Sequence, residues 1–430
     1  MTTPFNSSST LISYPVIESL PMDALPDAVV QYILSHMKDS KDVARCSCVS
    51  RRWREFMPLV RSLYFPRSSH YDARHTNRDQ AIGRLICSTS LLEELILHCP
   101  FSSPNLAPWL MSTGRSLRQL DLRVDGERQT DLGCIGAAHG LESLKLWGAA
   151  MGGSPDWAMF PRLTSLEIVG STLKDGALAG CLEACPNLIE LALLGCDGMQ
   201  SVSIELQWLE KCRLDLLGPD DCSLYLRSPK LEVLDIVGFG WVCVNPTHCL
   251  KSLSIAKNSG SVYEVEFGEL ANLEFLTLRG VQWRWAAVKF ILQRASNVKH
   301  LFMKIEFSGD FAKLQPFPHV GLVEFFNSHP YLRSFEIHGA MFAALCLKKS
   351  LISVDSEFKI PYLEEVRITV RSPLNVEQKM NTLESLLKSS PMLRKMLIKI
   401  LHMNTHDNEN TFFEKVCRFA RENKNIVQLE

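Results

Sequence analysis

The chain has almost no charge imbalance: 46 Lys and Arg face 47 Asp and Glu, a formal net charge of -1 over 430 residues. That balance gives no global reason to expect nucleic acid or an anionic membrane as partner, and neither is expected. The opening MTTPFNSSSTLISY lacks the basic and apolar segments of a secretory signal. No run of about 18 or more apolar residues appears, which argues against a membrane-spanning helix. The ending NIVQLE carries no prenylation box. Catalytic signatures are missing as well, with no G-x-S-x-G elbow, no P-loop and no H-E-x-x-H. Cys46-x-Cys48 and Cys181-x-x-x-Cys185 lack the second ligand pair that structural zinc requires, so small buried thiols are their expected role. No catalytic residue, metal or cofactor is therefore assigned, and an enzyme is the least favoured class. Fourteen cysteines without a secretory signal point to reduced thiols, hence to cytoplasm or nucleus.

What is present divides the chain. Residues 1–18, rich in Ser, Thr and Asn, are expected to be a disordered tail. Residues 19–60 read as three short helices. Pro26 suits a helix start because its missing N–H costs nothing there, and Asp27 suits the positive end of the dipole. Val29, Val30, Ile33, Leu34 and Met37 then make one broad apolar face. Asp39 or Ser40 can cap a second helix carrying Val43, Ala44 and Cys46. Ser50 can cap a third, with Trp53, Phe56 and Val60 along one side and Pro58 ending it. So small a module cannot bury all these groups by itself, and part of the surface must meet a partner or the rest of the chain.

Five separated elements of this segment, Leu25-Pro26, Ile33-Leu34, Asp42-Val43 and then Val49-Ser50 with Trp53 three residues on, resemble the F-box. Cys46 and Cys48 depart from that pattern, where Leu or Arg-like residues are more common. The resemblance covers roughly residues 20–60. It implies docking onto an SKP-type adaptor, and through it a cullin, in an SCF (SKP–cullin–F-box) ubiquitin ligase. The implied docking residues are Leu25, Pro26, Ile33, Leu34, Val43, Val49 and Trp53, and truncating Trp53 would then cost on the order of 2 kcal/mol or more of docking.

Beyond residue 60 a pattern aliphatic-x-x-aliphatic-x-aliphatic occurs fourteen times, from VRSLYF at Val60 to LRKMLI at Leu393, at steps of 19 to 34 residues. Most steps fit leucine-rich repeats. Proline often precedes a copy (FPRL, CPNL, HPYL), and a glycine often follows it: Gly148, Gly170, Gly195, Gly238, Gly280 and Gly339. The segment Cys185–Asp197 resembles the cysteine-containing repeat that commonly follows F-boxes, and the degenerate copies have a plant-like flavour. The expected fold class is α/β: a leucine-rich-repeat solenoid over 61–403 with a concave parallel sheet and convex helices, an all-α F-box before it, and a helical cap over 404–430. Trp285–Ala295, Gly321–Ser328 and Asn381–Ser389 have helical periodicity and are assigned to the convex layer.

Side chains alternate along a strand, so the aliphatics point into the core and the residues between them face out. Arg123, Lys145, Trp147, Glu167, Arg279, Phe302, Lys304 and His338 are the expected target-binding residues, with Trp147 and Phe302 as anchors. A substrate protein held there for ubiquitination is the expected function. A non-ligase scaffold or inhibitor is the rival, in which the helices merely cap the solenoid. A small anionic ligand on Arg279, Lys304 and Arg367 is a third reading.

Overall fold

The computed structural model describes residues 24–67, 75–124, 131–217, 222–258, 262, 264–307, 318, 320–347, 358–371, 375–401 and 407–430. The expected tail over 1–18 lies outside them. Three helices come first: α1 (Asp27–His36), α2 (Ser40–Ser47) and α3 (Arg51–Glu55). The Asp39 carboxylate caps α2 by accepting from the Lys41 N–H, and the Ser50 hydroxyl caps α3 by accepting from the Trp53 N–H. A 15-stranded sheet follows, its strands parallel and in chain order.

Fourteen of those strands, from Ser62–Phe65 to Lys395–Ile400, each begin two residues after the leading aliphatic of one motif copy. The three aliphatics of a copy sink into one continuous core: Leu141, Leu144 and Leu146 in one repeat stack beside Leu163, Leu166 and Ile168 in the next, all buried. A fully buried Leu or Ile contributes about 1.5–3 kcal/mol relative to an exposed one, and no repeat can obtain this alone. Polar groups tie the repeats as well. The side-chain amides of Asn187, Asn272 and Asn297 donate to the carbonyls of Pro161, His248 and Ala271 in the preceding repeat, at 2.9, 2.7 and 2.7 Å. The Cys196 thiol makes a longer contact of the same kind with the Ile168 carbonyl.

The outer layer corrects one expectation. Helices Trp285–Arg294, Leu322–Ser328 and Val376–Ser389 stand where periodicity puts them. The middle of the array is instead faced by a second parallel sheet of four strands, Ser201–Glu205, Ser223–Arg227, Trp241–Val244 and Glu264–Phe267. Spacing explains the change. Every step of 25 residues or more between motif copies carries an α-helix, whereas the four steps of 19 to 23 residues from Leu188 to Leu273 carry these strands. A helix advances only about 1.5 Å per residue and a strand about 3.3 Å, so a short step can cross the outer side only as extended chain. Three of the four segments also alternate buried with more exposed positions, as in SVSIE with Val202 and Ile204 inside, whereas Trp241–Val244 is buried at three successive residues. At the C-terminus the cap is not helical throughout: helix Asp407–Glu422 leads into strand Val427–Leu429, which pairs with Lys395–Ile400 as the fifteenth strand.

All six glycines that follow strand motifs have positive φ. Gly280 is the most constrained, with φ +124 and an added Cβ only 2.0 Å from the Lys257 carbonyl oxygen. Gly280→Ala is expected to cost about 2 kcal/mol or more, since both the backbone region and the space exclude a methyl group. Gly153, with no neighbouring atom within 4 Å of an added Cβ, serves as the control and its alanine variant should be within about 0.5 kcal/mol of the parent. Equal urea-unfolding midpoints for the two variants would contradict this account.

Candidate functional site

The first candidate surface is the helical module. The inner stripe of α1 buries Val30 and Leu34, α2 buries Val43, and α3 places Trp53 at 0% exposure, all in the same core as the first repeats. An ion pair between Asp27 and Arg52 brings the start of α3 to the start of α1. The module is also bonded to the sheet. The Tyr64 N–H donates to the Lys38 carbonyl at 2.7 Å, and the Lys38 ammonium lies 2.9 Å from the Glu94 carboxylate one strand further in. Partial burial pushes the Glu94 carboxyl up, but the Ser62 hydroxyl and Lys38 outweigh it and hold the group below the usual range.

Of the residues assigned to docking, Leu34, Val43 and Trp53 have no surface to offer in this conformation. They form the floor of the module, because the repeat array covers the side that the three helices cannot close. Leu25 and Ile33 are half-buried, while Pro26 and Val49 are exposed. A second apolar stripe faces outward on α1, with Val29 at 39% and Tyr32 at 65% exposure beside Ile33. The signal for it was available, since adjacent Val29 and Val30 point about 100° apart on a helix and cannot both face the core. Val29, Tyr32 and Ile33 have the i, i+3, i+4 spacing of a separate stripe.

The second surface is the concave face, where the strand registers align outward side chains in rows across the sheet. One row runs through Asp121, Lys145 and Glu167, then Arg213 and Asp235, then Thr277, Phe302, Glu336 and Arg367. A parallel row carries Arg123 and Trp147, and further along Arg279 and Lys304. Its early part is internally satisfied. The Trp147 indole N–H donates to the Asp121 carboxylate at 2.9 Å, the Lys145 ammonium sits 4.5 Å from the Trp147 ring centre, and Lys145 pairs with Glu167 at 2.8 Å. Trp147 is thus half-buried in a network of its neighbours, whereas Phe302 leans on His338 with ring centres 5.5 Å apart.

A family model described as F-box-like matches residues 22–66, which span the three helices and the first strand. An Arabidopsis thaliana protein named as an F-box protein is 50% identical over 419 residues, covering 95% of this chain and 100% of that protein. The chain belongs to the F-box protein family. An Arabidopsis F-box/LRR-repeat protein is 29% identical over 241 residues, covering 51% of this chain and 58% of that protein. A third Arabidopsis relative, named as a putative F-box/FBD/LRR-repeat protein, is 22% identical across 88% of this chain and 86% of its own length.

Cys181 and Cys185 are buried, and burial pushes the Cys185 thiol up to about 12, away from nucleophilic thiolate. Among the described residues no group of three or more His, Cys, Asp or Glu is placed to hold a metal ion, and no helix is long and apolar enough to cross a membrane. Trp53→Ala should destabilise the F-box module by about 3–5 kcal/mol, as expected for an emptied aromatic site. Tyr32→Ala should change stability by no more than about 0.5 kcal/mol. Urea unfolding followed by far-UV circular dichroism separates the two, and an unperturbed Trp53→Ala protein would contradict the buried assignment.

Proposed function

We propose that this F-box protein is the target-recruiting subunit of an SCF ubiquitin ligase. The observation that carries the reading is the matched F-box segment with its outward apolar surface: Val29 and Tyr32 along α1, Pro26 just before it, and Val49 just before α3. That surface is the part of the module left to dock an SKP-type adaptor, with Leu34, Val43 and Trp53 acting beneath it as support. The adaptor brings a cullin and its bound ubiquitin-conjugating enzyme. The concave face holds a target protein, and chemistry belongs to the other subunits. Acceleration would come from proximity, because tethering makes the encounter between target and charged enzyme effectively intramolecular. A cytoplasmic or nuclear location belongs to the same proposal.

A scaffold or inhibitor in which the helices only cap the solenoid accounts for the buried inner face of α1. It gives no reason for a second apolar stripe facing solvent. The test is a pull-down of purified SKP-type adaptor by the full chain and by a Val29→Asp, Val49→Asp variant. Both positions are exposed, so the variant should keep the parent's circular dichroism and melting temperature. Adaptor capture by the parent and a loss of at least about tenfold in the variant is the expected result. A well-folded parent that captures no adaptor would sink the ligase reading.

A further inference from the structure

We infer that the C-terminal half of the concave face binds an extended acidic segment of the target protein, held by Arg279, Lys304 and Arg367 with Phe302 as the apolar contact between them. The inference rests on the target-recruiting reading and adds the chemistry of the target. Its basis is a difference between the two halves of one surface. In the earlier strands, the concave charges pair with each other: Lys145 with Glu167, Lys211 with Glu190, and Arg213 with Asp235 at 3.7 Å. In the later strands, two adjoining clefts of about 260 and 330 Å³ share Lys304 and His338 in their walls. The carboxylates lining them are already engaged, Glu306 by Arg371, Glu336 by His338, and Glu430 by Lys399. Arg279, Lys304 and Arg367 are left with no carboxylate within ion-pair distance among the described residues.

Their placement sets the shape of the ligand. Arg279 and Lys304 are register partners on adjacent strands, and Arg367 lies two strands beyond Lys304, across Phe302 and Glu336. At about 4.8 Å per strand the three cations span about 14 Å, the reach of four or five extended residues. One small anion cannot engage cations so spread, while a peptide with acidic side chains at separated positions can. The same surface presents Phe302 and the stacked Phe275–His300 pair, whose ring centres are 4.6 Å apart, giving the apolar area that charges alone do not supply. Carboxylates within the clefts oppose a uniformly charged nucleic-acid backbone, whereas a peptide places its charges selectively. The anionic groups are carboxylates or phosphorylated side chains, which share this chemistry.

The test is selection from an unbiased displayed-peptide library on the full chain, followed by fluorescence anisotropy of the recovered peptides at low and high salt. Recovered peptides should be enriched in Asp and Glu around an aromatic or aliphatic residue, and their affinity should fall as salt rises. A variant with Arg279→Glu, Lys304→Glu and Arg367→Glu should bind them at least tenfold more weakly, while Arg213→Glu, at a paired site, should not. Resynthesis with phosphoserine in place of glutamate tells which acidic source binds tighter. Recovery of neutral or basic peptides, recovery of none, or equal binding by the triple variant overturns the inference. So does binding of inorganic pyrophosphate without any acidic peptide, which would make the cleft a small-anion site. Adaptor capture by the parent chain keeps the outcomes apart: if the parent captures adaptor but selects no acidic peptide, only this inference falls.

Discussion

Everything in this structure depends on the burial of one aliphatic triplet against the next. A repeat of some twenty-five residues presents three leucine-like side chains on one side of a single strand and has no second layer thick enough to cover them. Its neighbours supply the cover, and the parallel register keeps the triplets in line from Leu63 at one end to Ile398 at the other. The consequence is a core with two open ends, each exposing strand groups and apolar surface. At the first end the linker between α1 and α2 meets the edge strand, with the Lys38 carbonyl accepting from the Tyr64 N–H, and the three helices bury Trp53 and Val43 against the array. At the other, strand Val427–Leu429 pairs with the edge and helix Asp407–Glu422 packs beside it, burying Phe412 and Val416. The F-box is therefore an end-piece of the solenoid as well as a candidate docking module, and its buried residues serve the first role.

Much of this was readable in the letters, because the constraint is periodic. Fourteen copies of one pattern gave fourteen strands with a constant two-residue offset, and the glycines after them all took the left-handed backbone that their position suggests. Three helices of the outer layer were equally plain. The outer sheet was not, although its cause was visible: the distances between copies contract from Leu188 to Leu273, and that leaves too little chain for a helix. Strand Val427–Leu429 was missed because three residues beside a strong amphipathic helix carry no periodicity of their own.

The docking residues show a different limit. Family resemblance picks out Leu34, Val43 and Trp53 because a motif records what a module needs, without separating residues that hold it together from residues that meet a partner. Burial separates them. Helix geometry could have done part of this beforehand, since Val30 and Leu34 share one stripe while Val29, Tyr32 and Ile33 share another. Nothing comparable was available for the concave face, where the alternation along each strand turns Lys145 and Arg279 outward alike. Only the cross-strand neighbours show that Lys145 is answered by Glu167 and that Arg279 stands beside a second cation, Lys304.

That distinction between answered and unanswered charge bears on how a stiff array can be selective. An ion pair already formed between neighbouring strands has to be broken before either partner can contact a ligand, and at a partly buried site the replacement returns little net energy. A cation with no partner loses only water. Recognition on a parallel sheet therefore concentrates wherever the cross-strand pattern leaves like charges adjacent, even though the backbone is nearly uniform along its length. Rigidity then adds to the effect. The module bearing α1 is bonded to the first strand and shares one core with the last, so a segment held near Phe302 would keep a fixed distance and direction from whatever docks at Val29 and Val49. For a reaction whose acceleration comes from proximity alone, a fixed distance is worth more than a tighter grip, because it raises the local concentration of the correct encounter without adding contacts that slow release.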